Sequence, residues 1–227
     1  GNQFMPTLLK LPGGEKQVQL IEKWLKGETQ VQEITDKWHN GPVLPIQLET
    51  PDIIRAGQEV GIDVTVSNNK SGHHFPTGPL DLIQAWVKLT VKDGYGNVVF
   101  SSGVLDQHHF IPPGSVIYRA QPVDQFGSDV DNHHLWNLVG IKFSRALYPG
   151  FSDQLKFNFI YKPGIQGQTF TNDTLYVNAE LCYRKFNQFV LNTYFSDNGK
   201  IDVTAPVTVL SSDQKKIFVK KSNPKHL

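Results

Sequence analysis

The chain has 227 residues, with 22 Lys and Arg against 21 Asp and Glu, so its formal net charge is +1. This near-neutral balance argues against nucleic-acid binding, which needs a dominant basic face. A chain of this length can bury a sufficient core without disulfides, and it contains no apolar run of the roughly 18 residues that a membrane helix needs.

Residues 1–40 are predicted to form a helical connector that docks on a neighbouring unit. Val18, Ile21 and Leu25 follow the i, i+3, i+7 spacing of an amphipathic helix. The pattern predicts a helix over 15–26, with Gly27 as its C-cap. A second short helical stretch is predicted over 29–38.

Residues 41–212 are predicted to form one β domain. Alternating apolar and polar side chains over 59–67 are typical of a half-buried strand, and Pro45 places the first strand at a sheet edge. Short strands separated by Pro-Gly turns predict a mostly β fold, an antiparallel two-sheet β-sandwich of immunoglobulin-like type with an N-terminal helical extension. Residues 213–227 are predicted to be a solvated basic tail. The predicted strands are 43–49, 59–67, 83–91, 98–101, 116–120, 154–161, 174–183 and 203–210.

Six of the eight histidines form three doublets in predicted loops, at residues 73–74, 108–109 and 133–134. A neutral imidazole is the commonest side-chain metal ligand. Adjacent residues of an extended chain point to opposite faces, so only one histidine of each doublet could serve a given centre. This spacing argues against a mononuclear site built by the chain alone, although a stand-alone copper- or zinc-binding sandwich remains an alternative.

Motifs of the common enzyme classes are absent: there is no Gly-x-Ser-x-Gly elbow, phosphate-binding loop or His-Glu-x-x-His run. Cys182 lies in a strand pattern and is predicted to be a buried apolar residue. Covalent attachment of a c-type haem needs a Cys-x-x-Cys-His run, which a single cysteine cannot provide. The sequence therefore predicts a non-catalytic protein without covalently attached haem.

The run Gly-His-His-Phe-Pro-Thr-Gly at residues 72–78, followed by Pro-Leu-Asp-Leu and Gln-Ala-Trp, resembles the C-terminal β-sandwich region of bacterial multihaem c-type cytochromes. Weaker collinear segments extend the resemblance over residues 43–210. They include residues 64–68, 99–103, 133–136 and 183–187. A segment rich in Cys-x-x-Cys-His sites usually precedes the sandwich in that family, and this chain has no such site.

The resemblance implies a subunit or domain that docks on a multihaem cytochrome c chain or segment, in the periplasm or outside the cell. His73 matches the histidine of the family's run, so it is the first candidate for an axial ligand to a haem c carried by the partner. His133 is the second candidate and His74 the third, whereas His108 and His109 receive no role. A carbohydrate- or matrix-binding adhesion module is the alternative from another class.

Overall fold

The computed structural model describes residues 3–34, 41–79, 81–162, 174–195 and 203–220. Strands dominate them, which confirms the mostly β prediction. The helices are α1 (Phe4–Leu8), α2 (Gly14–Lys26) and α3 (Gln188–Phe195). The strands are β1 (Ile46–Glu49), β2 (Ile53–Arg55), β3 (Glu59–Ser67), β4 (Gln84–Asp93), β5 (Val98–Ser102), β6 (Ile117–Val123), β7 (Gly140–Arg145), β8 (Ser152–Ile160), β9 (Thr174–Arg184) and β10 (Thr208–Lys220).

The strands form two sheets. The smaller sheet has the order β1-β3-β8, so β1 lies at an edge, as Pro45 predicts. The larger sheet follows the order β2-β10-β9-β4-β6-β7. One side of β4 pairs with β9 along its length, while the other pairs with β6 near its start and with β5 near its end. All these pairs are antiparallel except β2 with β10.

The core lies between the inward faces of the two sheets. Every second residue of β3 is fully buried, and these side chains belong to one apolar cluster with the inward residues of β4, β8 and β9. Burying one such aliphatic side chain stabilises the fold by about 1.5–3 kcal/mol. The cluster includes Val60, Ile62, Val64, Val66, Val87, Leu89, Leu155, Phe157, Leu175 and Val177.

The N-terminal helices pack on the chain's own domain. Helix α2 ends at Lys26, and the φ of +73° at Gly27 together with its hydrogen bond to the Trp24 carbonyl confirms the predicted C-cap. Phe4 of α1 contacts Phe195 of α3 with ring centroids 5.4 Å apart. Of the predicted second helical stretch, the structure has a 3₁₀ turn at Gln32–Ile34, and residues 35–40 lie outside the described residues.

The predicted basic tail is wrong for residues 213–220, because β10 continues to Lys220. Phe218 still pairs with Thr174 of β9, and Ile217 is fully buried. The lysines of this strand occupy exposed positions on either side of the buried Ile217. The run of charges therefore made the strand hard to recognise in the sequence. Residues 221–227 lie outside the described residues. Among the helices of the described residues, none is long and apolar enough to cross a membrane.

Candidate functional site

The loop that carries His73 is braced by Asn68, which follows β3 and is fully buried. Its amide nitrogen donates to the carbonyls of His73 (2.8 Å) and Leu147 (2.9 Å). Its oxygen accepts from the backbone nitrogen and the hydroxyl of Ser71, at 3.1 and 2.6 Å. Beyond this brace, Phe75 and Leu147 exchange two backbone hydrogen bonds. One neutral side chain thus fixes both ends of the turn before His73.

The imidazole of His73 is exposed, and its Nδ1 lies 2.9 Å from the carbonyl oxygen of His74. A carbonyl can only accept, so Nδ1 carries the proton and the lone pair falls on Nε2. Nε2 has no hydrogen-bond partner within the described part of the chain. His73 lines a mainly apolar cleft of about 290 Å³ between α2 and its own loop. The other walls include Trp24, Leu25, Val43, Phe75 and Tyr183.

His74 lines a separate and smaller cleft of about 90 Å³. Its ring centroid lies 5.9 Å from that of Tyr148, and Arg145 is another wall residue. The two imidazoles of this doublet therefore line different clefts, as the opposite orientation of neighbouring side chains predicts.

His133 is held by a buried carboxylate. Its Nδ1 lies 3.1 and 3.3 Å from the two carboxylate oxygens of Asp81, whose side chain is fully buried, while the His133 side chain is 41% exposed. The amide of Asn187 donates to the backbone carbonyls of Asp81 and Asp131, which ties the two loops together. A carboxylate on Nδ1 orients the ring, as for many metal-ligating histidines, and Nε2 has no hydrogen-bond partner among the described residues.

The ring of His134 is engaged with other side chains. It stacks on Trp136, with centroids 4.7 Å apart and an interplanar angle of 24°. Its Nε2 lies 2.8 Å from the hydroxyl of Tyr194, which donates to the Asn132 carbonyl. Nε2 is thus occupied, and His134 fixes the loop to α3 rather than presenting a ligand.

His108 and His109 occupy a tight turn. One carboxylate oxygen of Asp106 accepts from the backbone nitrogens of His108 and Phe110, both at 2.9 Å. The carbonyl of His109 accepts from Arg184 at 2.7 Å. The backbone of the doublet holds this turn, and the His108 side chain adds an exposed contact in which its Nε2 lies 3.2 Å from the amide nitrogen of the adjacent Gln107.

The three doublets contact different neighbours. In the described residues, no three His, Cys, Asp or Glu side chains lie where they could hold one metal ion. Cys182 is buried in β9 as predicted. Burial, and secondarily the charge of Glu180, raises the pKa of its thiol to about 12. The thiol therefore stays protonated near neutral pH and is not a thiolate ligand.

Two residues of this region escaped the sequence analysis. Asp81 carried a usable signal, because a carboxylate between two leucines suggests a buried charge that needs a partner. Asn68 carried none, since Asn at the end of a strand is an ordinary turn residue.

Comparisons with known proteins identify the fold. No protein-family model matches the chain, and no curated protein matches it in sequence. It is similar to the solved structure of a penta-haem cytochrome c552 from Thermochromatium tepidum, with a TM-score of 0.58 and 16% identity, over 86% of this chain and 41% of that one. The CARDB domain of a Pyrococcus furiosus protein has a TM-score of 0.35 and 12% identity, over 78% of this chain and 93% of that one. A cohesin module from a Clostridium perfringens glycoside hydrolase has a TM-score of 0.31 and 8% identity, over 80% and 99%.

The chain thus spans less than half the length of the cytochrome that it resembles. At this level of identity the similarity shows the fold alone: this chain has the β architecture of a region within a penta-haem cytochrome c552.

Proposed function

We propose that the chain is a non-catalytic β-sandwich domain or subunit of a multihaem cytochrome c electron-transfer assembly, in the periplasm or outside the cell. In this proposal it docks on the haem-bearing chain or segment, and His73 supplies an axial ligand to one haem c of that partner. His133 is the second candidate for the ligand. The shared fold with the penta-haem cytochrome and the run at residues 72–78 support the assignment.

One observation carries the proposal: His73 combines a fixed backbone, an occupied Nδ1 and an open Nε2 beside apolar surface. A ligand on a braced loop needs little ordering when it binds, which favours coordination. The apolar walls would lower the local dielectric and keep water from the iron, and both effects tune a haem potential.

The residues present fit a haem that belongs to another chain. The cleft beside His73 has about 290 Å³, close to the lower limit of about 300 Å³ for sites that enclose a small molecule. It would therefore cover one edge of a porphyrin while the partner holds the remainder. When bound, the haem supplies one-electron transfer. This chain's own contribution is an imidazole, an apolar wall and a docking surface.

The assembly is tested by purifying a tagged chain from its native cells and recording the visible absorption of what accompanies it. We expect c-type haem bands in the wild type, and an altered low-spin spectrum or reduction potential in His73→Ala. His108→Ala is the matched control, because His108 is an exposed imidazole in an unrelated turn. If no c-type haem co-purifies, the assembly reading fails. If haem is present but His73→Ala leaves its spectrum and potential unchanged, only the ligand assignment fails.

The isolated chain allows a second test with a defined probe, an N-acetylated haem octapeptide that carries one axial histidine and one open position. Coordination by His73 converts the iron to a six-coordinate low-spin state, which shifts the Soret band. We expect His73→Ala to weaken this binding by about tenfold relative to His108→Ala. Equal affinity of the two variants would contradict the assignment, and His133→Ala measured in parallel decides between the two candidate ligands.

A further inference from the structure

A larger cleft, distinct from those beside His73 and His74, lies against β6 and the adjacent ends of β4 and β9, and residues 110–115 close it on one side. Its volume is about 470 Å³, which is within the range of small-molecule sites. Apolar side chains form much of its wall, and its charged lining residues are Arg119, Arg184, Lys142, Asp129 and Asp131. The apolar wall residues include Ile111, Pro112, Phe143 and Phe189.

Arg184 is a buried cation whose hydrogen bonds go to neutral groups. It is 1% exposed at the end of β9. Its Nε donates to the side-chain oxygen of Gln84, its cross-strand neighbour, and its Nη1 donates to the His109 carbonyl, both at 2.7 Å. Its guanidinium also lies 5.5 Å from the centroid of the Trp86 ring. Nη2 has no hydrogen-bond partner among the described residues. A buried guanidinium without a carboxylate partner is costly.

Arg119 adds a second guanidinium. Its Nη2 donates to Asp131 at 2.9 Å, while its buried Nε has no hydrogen-bond partner among the described residues. Burial first, and then the like charge of Arg119, lowers the pKa of Arg184 to about 10, although Asp106 acts in the opposite direction. Asp106 is exposed, and its Oδ1 accepts hydrogen bonds from the backbone nitrogens of His108 and Phe110. The two guanidiniums therefore repel each other across the cleft wall.

The charged side chains that line the cleft include one more cation than anions. Asp131 pairs with Arg119, and Asp129 pairs with Lys142 at 3.1 Å, so Arg184 has no acidic partner of its own. The amides of Gln121, Asn187 and Gln188 also line the cleft, and they donate to protein oxygens. Each guanidinium thus keeps a nitrogen without a hydrogen-bond partner among the described residues, as does the amide of Gln84, whose oxygen accepts from Arg184.

We infer that this cleft binds a small monocarboxylate with an apolar body, whose carboxylate is held by Arg119 and Arg184. A guanidinium fork matches the planar carboxylate geometry and binds it through charge-assisted hydrogen bonds. A single negative charge offsets the one uncompensated cation, and the apolar body covers the Ile, Pro and Phe walls. The inference goes beyond the proposed function and does not depend on it, because the ligand is a free small molecule.

The test is calorimetric titration of the full chain with benzoate, and with benzamide as an uncharged analogue of the same shape. We expect saturable one-to-one binding of benzoate and at least about tenfold weaker binding of benzamide, because charge-assisted hydrogen bonds carry the recognition. Arg119→Gln should weaken benzoate binding by about tenfold or more. Arg184→Gln should have the same effect if circular dichroism shows that it folds.

Arg145→Gln is the matched control, because Arg145 is a partly exposed arginine of β7 that pairs with Asp153 and does not line this cleft. It should leave benzoate affinity unchanged within about twofold. The inference is overturned if benzoate shows no saturation up to about 10 mM. It is also overturned if benzamide binds as well as benzoate, or if Arg145→Gln weakens binding as much as Arg119→Gln does.

Discussion

The loops of His73 and His133 present the same imidazole nitrogen, Nε2, but hold the ring by different means. Asn68 fixes the first loop through four hydrogen bonds of a neutral side chain, and the His73 ring contributes only a contact with the next residue. In the second loop, the ring of His133 is itself the partner of the buried carboxylate of Asp81. The first loop would keep its shape without its histidine, whereas the second needs its imidazole to stay folded.

Replacing Asn68 by Ala should have the largest effect on stability. The substitution removes one of the two donors to each of the carbonyls of His73 and Leu147, and it removes the acceptor of the backbone nitrogen and hydroxyl of Ser71. At about 0.5–1.5 kcal/mol for each of the four lost hydrogen bonds, we expect a loss of about 3 kcal/mol in the free energy of unfolding. Urea denaturation followed by circular dichroism measures this loss.

The matched control for that change is Asn158→Ala, at an exposed position of β8. It should alter the free energy of unfolding by no more than about 0.5 kcal/mol. Equal urea midpoints for the two variants would show that Asn68 does not brace the loop.

Replacing His133 by Ala should cost about 2 kcal/mol at neutral pH, because the carboxylate of Asp81 stays buried without its partner. We expect less than for a fully buried ion pair because the His133 side chain is 41% exposed. A double-mutant cycle with Asp81→Asn isolates the interaction, since the neutral amide should recover part of the loss in the His133→Ala background. Additive effects of the two substitutions would indicate that the His133 imidazole and the Asp81 carboxylate are not energetically coupled.

Periodicity and position explain which features could be predicted. The strand over 59–67 and the helix capped by Gly27 follow from local spacing, and the structure has both. Strand β7 was missed because its side chains are mostly exposed on both faces, so no period-2 apolar pattern marks it. The pairing of His133 with Asp81 spans 52 residues of chain and depends on tertiary packing, which no local pattern encodes.

Replacing Tyr194 by Phe tests how far the second loop depends on polar contacts beyond Asp81. The hydroxyl joins Asn132 and His134 to α3, but Tyr194 is 52% exposed, so water can replace part of what is lost. We expect a loss of about 0.5–1 kcal/mol in the free energy of unfolding. The control is Thr193→Ala, at an exposed position of the same helix. Phe195 is not suitable as a control because its ring packs on Phe4. A loss above that for His133→Ala would make α3, and not the carboxylate, the main support of this loop.

Replacing His73 by Ala should have the smallest effect on stability, within about 0.5 kcal/mol, because the ring is exposed and the brace acts on the His73 backbone carbonyl, which alanine retains. The urea midpoint should match that of His108→Ala. A loss comparable to that of His133→Ala would show that the His73 ring supports its own loop. If stability is unchanged while the octapeptide affinity falls, then His73 contributes to ligand binding and not to folding. The loops of His73 and His133 would then differ in function as well as in the way each ring is held. A histidine whose removal does not destabilise the fold is available to bind the iron of a partner.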